Sequence, residues 1–131
     1  MATIFSKIVR GEIPAYKVAE TDKFLAFLDI RPLKKGHTLV IPKQEVDYIF
    51  DVEDELLAEL MIFSKKVAIG LKKAIPCTRI GMSVIGLEVP HAHVHLIPIQ
   101  AIGDMNFANP MAPLESKDFE EIASSIAKEI A

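Results

Sequence analysis

The stretch His91-Ala92-His93-Val94-His95-Leu96-Ile97 decides how this chain is read. Three imidazoles alternate with apolar residues. On a strand, with its period of two, all three rings project from one face. On a helix the same positions scatter, because each step turns by ~100°. Pro90 favours the extended reading, since it lacks an N–H and pushes Val89 away from helical backbone. Same-face neighbours on a strand lie about 6.6–6.8 Å apart, a gap that holds a phosphate or a metal ion. Three of the four histidines in the chain fall within these five residues, which argues for a shared task.

Three readings follow from the residues. The rings have no task and sit on the surface or in the core. They bind a metal, for which His-x-His is good spacing and His37 offers a further nitrogen, with Glu88 and Asp29 the near carboxylates to orient them. Or one ring attacks phosphorus while its neighbours donate to phosphate oxygens. Imidazole is about three-quarters neutral at pH 7 from its ordinary pKa of ~6.5, so an attacking lone pair is available. The attacking ring needs an acceptor at its other nitrogen, and a backbone carbonyl suffices. Losing one preorganised donor to a developing charge costs about 10²–10³ in rate in a well-studied case.

Outward from this stretch, the 131 residues predict one domain, 1–131, long enough for a core without disulfides. Half the residues are hydrophobic and a quarter charged, as in globular proteins generally. The net charge of −3 gives no basic field for a nucleic-acid backbone, while a small phosphate pocket remains compatible with it. Cys77 is the only cysteine, so neither an intramolecular disulfide nor a CxxC zinc site is available. The N-terminus lacks a signal-peptide pattern and no apolar run is long enough for a membrane span, so the expected compartment is the cytoplasm.

Taken in order, Thr3 caps a predicted short helix over residues 4–10, ended by Gly11. Strands are predicted at 15–20, 24–30 and 37–41, with a basic loop, residues 31–36, before the third. Val46 to Phe50 predicts a helical turn. A long helix from an Asp51 N-cap follows, with Leu56, Leu60, Phe63, Val67, Leu71 and Ala74 in one stripe. Acidic residues load its first turn and lysines its last. Strands at 79–85 and 91–99 complete the set. Residues 4–99 form the expected core. Residues 100–131 form an extension, with a loop followed by a helix over 117–130 that Ser116 caps.

The chain resembles the histidine triad (HIT) superfamily of nucleotide hydrolases and transferases. Residues 91–97 match the motif His-φ-His-φ-His-φ-φ in full, φ being apolar. The segments at 4–9, 12–15, 25–30 and Gly36-His37-Thr38-Leu39-Val40-Ile41-Pro42-Lys43 resemble the family's N-terminal half at matching spacing. The arrangement is most similar to the branch that hydrolyses nucleoside phosphoramidates and aminoacyl-adenylates. The resemblance implies an α+β fold: a five-stranded antiparallel sheet, one long helix and short flanking helices, paired as a homodimer. It implies a purine nucleotide substrate, no cofactor, no metal, no nucleic acid and no membrane.

It also implies roles. His93 attacks the α-phosphate and carries a transient nucleotidyl group. His95 contacts phosphate oxygens. His91 holds His93 through its carbonyl, and His37 bonds His91. Asp29 binds ribose hydroxyls, and Ile4, Phe5, Ile8, Phe27, Leu28 and Ile30 enclose the base. Two departures stand out. Leu87 and Glu88 occupy the positions of a polar pair, commonly Gln then Ser or Thr, and Ser83-Val84-Ile85-Gly86 lacks the Asn often found there. Glu88 is then expected to protonate the leaving group, given partial burial, or to select a cationic one.

Overall fold

The computed structural model describes residues 2–130. Five strands form one antiparallel sheet in the order β1-β2-β3-β5-β4. They are β1 (Lys17–Glu20), β2 (Phe24–Leu28), β3 (Thr38–Pro42), β4 (Arg79–Ser83) and β5 (Val94–Ile99). The helices are α1 (Ile4–Val9), α2 (Asp54–Ala74) and α3 (Ser116–Ile130). The expected α+β architecture is found, although α3, at 15 residues, is longer than a short flanking helix.

Strand periodicity splits the sheet into two faces. Phe24, Ala26 and Leu28 of β2, Val40 of β3, and Val94 and Leu96 of β5 join Leu60, Phe63, Val67 and Leu71 of α2 in the main core. The alternate residues Leu25, Phe27, Leu39 and Ile41 face the other way and pack beneath Phe5 and Ile8 of α1. Both faces are covered, so β2 and β3 are buried throughout and read as continuous apolar runs.

The ends of the helices follow from local chemistry. Thr3 accepts a bond from the Ser6 N–H and caps α1, and Gly11 ends that segment at φ +80°. The long helix starts two residues later than the sequence predicts. Residues 49–51 first form a 3₁₀ turn, Val52 is buried, and Glu53 then stands at the N-cap position without a side-chain bond. Asp54 and Glu55 at its start and Lys72 and Lys73 at its end complement the helix dipole. For α3 the cap is Glu115, not Ser116: its N–H donates to Asp118 Oδ2 at 2.9 Å, and its carbonyl accepts from the Phe119 N–H.

The C-terminal helix packs within its own chain, on α2 and β1. Phe119, Ile122, Ala123 and Ile126 supply its buried stripe, and Phe119 stacks on Tyr16 at 5.2 Å. Burying one such Ile or Phe stabilises a fold by roughly 1.5–3 kcal/mol. Gly70 permits the close crossing of the two helices, because a Cβ there would meet Ile130 Cγ1 at 2.5 Å. Among the described residues no helix is long and apolar enough to cross a membrane.

Candidate active site

His95 sits inside β5, opposite Leu39 of β3 and Ser83 of β4, on the face turned away from α2. His91 and His93 precede the strand, which corrects the expected start at residue 91. Pro90 has no N–H to give. The His91 N–H turns back to the Val89 carbonyl at 2.8 Å, and the Ala92 N–H goes to the Val46 carbonyl at 2.7 Å. Ladder pairing therefore begins only at Val94.

His93 and His95 border one cavity, with ring centroids 4.8 Å apart. His91 does not reach it. Its ring is fully buried, between Phe5 and the hydroxyl of Thr3. The shared open face expected of three rings is thus made by two, with the third held beneath.

Each ring has one proton arrangement that satisfies its partners. The His93 ring donates from Nδ1 to the His91 carbonyl at 2.7 Å, leaving a lone pair on Nε2. His91 donates from Nε2 to the Pro42 carbonyl at 2.8 Å, so its Nδ1 accepts from the Thr3 hydroxyl at 2.9 Å. The Leu33 N–H donates to His37 Nδ1 at 3.0 Å, which puts the His37 proton on Nε2. From there it donates to His95 Nδ1 at 2.9 Å, leaving the His95 proton on Nε2. The expected His37–His91 bond is therefore absent: His37 serves His95 instead.

Electrostatics favour the neutral forms of His37, His91 and His95. Burial first, then the neighbouring His93, push His37 down to about 4. Burial, His93 and His37 push His95 to about 4 against the opposing pull of Asp29. Burial also lowers His91, opposed by the Pro42 carbonyl and Glu45.

The donor atoms of Asp29, His37 and His95 lie within 4.8 Å of one another, close enough to suggest a cation site. The proton chain argues otherwise. Leu33 occupies the one lone pair that a neutral His37 offers, and the His37 Nε2–H points at His95. A metal there would have to displace that proton.

The cavity, of about 580 Å³, is the size of a small-molecule site. Asp29, Arg31 and Leu33 wall one side, and Ile85 to Glu88 another. Asp29 is half-buried; its Oδ1 accepts from the Arg31 N–H at 2.8 Å and its Oδ2 lies 3.6 Å from His37 Nε2. Glu88 does line the cavity but is exposed, so the partial burial expected of it is not found. Leu87 projects into solvent, 89% exposed.

The residues expected to enclose the base lie apart from this cavity. None of Ile4, Phe5, Ile8, Phe27, Leu28 and Ile30 lines the cavity. Strand parity turns Leu28 toward α2. Phe5, Ile8 and Phe27 fill the second core, where Phe5 supports the His93 ring edge-on at 5.0 Å. Ile4 and Ile30 are exposed.

The apolar wall comes from the C-terminal extension, which sequence reading left unassigned. Phe107 meets the His95 ring edge-on at 4.8 Å, with Asn109 and Met111 beside it. The Ala112 N–H bonds the Pro32 carbonyl at 2.7 Å, and Lys34 pairs Asp104 at 3.1 Å, holding this segment over the site. The sequence carried no local signal for it, because a lone aromatic in an Asn- and Pro-rich loop shows no periodicity.

Comparison with known proteins agrees with this geometry. The family model described as HIT domain matches residues 10–102. An adenosine 5'-monophosphoramidase of Schizosaccharomyces pombe is 41% identical, covering 96% of this chain and 99% of its own. Protein hit of Bacillus subtilis is 36% identical, covering 98% and 94%. The crystal structure of a HIT-like protein from Bartonella henselae superposes with a TM-score of 0.83 at 32% identity, covering 97% of this chain and 95% of that one. A histidine motif, a sheet order and relatives matched from end to end converge on one assignment: the chain belongs to the HIT family.

Proposed function

We propose that the protein hydrolyses purine nucleoside monophosphate derivatives, phosphoramidates foremost, through a covalent nucleotidyl-His93. The observation that carries this reading is the His93 Nδ1–H donated to the His91 carbonyl, which leaves the Nε2 lone pair as nucleophile at the cavity. In the first step Nε2 bonds to phosphorus and the bond to the leaving amine breaks. The amine takes a proton from solvent. Water then attacks phosphorus, releases the monophosphate and a proton, and returns the lone pair to His93. The His95 Nε2–H, fixed by the relay from Leu33, donates to the phosphate oxygens as their charge grows. Asp29 faces the cavity where it can accept from ribose hydroxyls. Glu88, exposed at the rim, fits the selection of a cationic leaving group better than proton donation.

The name of the S. pombe relative supports the substrate class. Aminoacyl-adenylates and dinucleoside polyphosphates share the same α-phosphate chemistry. The test is to incubate the protein with adenosine 5'-phosphoramidate, with and without a chelator. Monophosphate release in both, lost in His93→Ala, is the expected result. Nucleotide binding without release would leave a binding module in its place, and loss with chelator would favour a metal site.

A homodimer is part of the same proposal. β4 is an outer strand of the sheet, and Ile69 of α2 lines an open apolar groove with Ile80 of β4. Ile62 and Met82 are also exposed on these elements. Sedimentation equilibrium is expected to give twice the chain mass; a monomer at micromolar concentration would refute it.

A further inference from the structure

Beneath the cavity lies a second cluster of polar side chains that the reaction above does not touch. Thr3 and Ser6 of the α1 segment, Glu45 after β3, and His91 come together across separations of up to 88 residues. Thr3, Ser6 and His91 are buried, while Glu45 reaches in from the surface. One oxygen, Glu45 Oε1, accepts from both the Thr3 N–H at 3.0 Å and the Ser6 hydroxyl at 2.6 Å.

The proton directions follow. An ionised carboxylate only accepts, so Ser6 commits its single hydroxyl proton to Glu45. Ser6 Oγ also lies 3.4 Å from His91 Nδ1, but has no second proton for it. Thr3 Oγ1 already accepts from the Ser6 N–H at 3.0 Å, and its own proton is free for His91 Nδ1 at 2.9 Å. Glu45 thereby decides which hydroxyl serves the ring. The same segment grips His91 twice more: the Pro42 carbonyl takes its Nε2–H, and the Val46 carbonyl takes the Ala92 N–H at 2.7 Å. What this holds in place is the His91 carbonyl, which receives the His93 proton at 2.7 Å.

We infer that Glu45 is a positioning residue for the nucleophile, acting through Ser6, Thr3 and His91 to keep the proton of His93 on Nδ1. The inference rests on the functional reading above for its link to turnover. Glu45 does not line the nucleotide cavity, so its loss affects kcat and not KM.

The experiment compares Glu45→Ala and Thr3→Val with the acceptor- and hydroxyl-retaining Glu45→Gln and Thr3→Ser. ¹⁵N imidazole spectra report the His93 tautomer directly, and kinetics with adenosine 5'-phosphoramidate report turnover. Glu45 is exposed, so its replacement leaves the fold standing, and circular dichroism checks this. The expected result is a second His93 tautomer in Glu45→Ala and Thr3→Val. Their kcat falls about tenfold, the lower range seen when partners that orient functional histidines are removed, at unchanged KM. Recovery is expected in the two conservative variants. A single, unchanged His93 tautomer in both Glu45→Ala and Thr3→Val would overturn the inference whatever the activity. A native protein that turns nothing over, with the tautomer still redistributed in the variants, would overturn the functional reading and uphold the positioning role.

Discussion

Acidification is expected to destabilise this protein from about pH 6.5 downward, and His37 is the place to measure it. In the folded protein His37 and His95 are pushed down to about 4 by burial and by neighbouring rings, against 6.5 for free histidine. Their folded values are depressed, so the folded state binds fewer protons than the unfolded chain between these limits. Stability is therefore full above about pH 6.5 and is lost as pH falls toward 4. A shift of this size corresponds to roughly 3 kcal/mol for one fully buried ring, of which roughly 2 is lost by pH 4.5. The figure for His95, at the cavity wall, is smaller because solvent screens it. Glu20, Glu45 and Asp104 have lowered values, so their contributions are lost from the ordinary carboxylate range downward and overlap the acid end of this window.

The assay is urea unfolding of the native protein and of His37→Gln at about pH 7, 5.5 and 4.5. Glutamine keeps an acceptor and a donor for Leu33 and His95 without the titrating ring. The native protein is expected to lose more stability across this range, by roughly 2 kcal/mol at the lowest pH. Parallel losses in the two proteins would refute the buried, neutral assignment of His37, and with it the fixed proton on His95.

Three further outcomes follow from the site and the core. Phe107→Ala is expected to admit water to the His95 ring and to raise its NMR titration midpoint from about 4 toward the ordinary value; an unmoved midpoint would deny the shielding. Glu88→Gln is expected to reduce the preference for cationic over neutral leaving groups by roughly two- to fivefold, the worth of an exposed ion pair, read as a ratio of kcat/KM values. An unchanged ratio would remove Glu88 from substrate selection. Gly70→Val places methyl groups where Ile130 already stands and is expected to cost about 1–3 kcal/mol by overpacking; native-like urea unfolding would show that α3 can move aside freely.

Local periodicity made most of the fold legible. The continuous apolar runs of β2 and β3 mark strands covered on both faces, the stripe of α2 records which side of the helix meets the core, and Thr3 announces α1 through capping chemistry. The motif at 91–97 led to the cavity that His93 and His95 border. Its internal arrangement was less readable, because it is set by contacts between distant residues. That His91 turns inward depends on Thr3 and the Pro42 carbonyl. That His37 serves His95 and not His91 depends on the Leu33 N–H. Leu28 was expected at the base beside Phe27, but adjacent residues of a strand face opposite sides, and the folded chain packs Leu28 against α2. The Phe107 wall was invisible for the same reason: only the folded chain brings residues 107–111 to the sheet.

The strand that carries His95 is interior, paired on both sides by β3 and β4. The walls of the cavity, by contrast, are loops: 84–90 on one flank and the 100–113 segment on another. Reaction chemistry and substrate choice are thus separable in this architecture. Loops of different length or charge can be exchanged at the rim while His93 and His95 stay where hydrogen-bonded neighbours hold them. Under the proposed function, one scaffold can in this way serve many leaving groups without rebuilding the histidine cluster.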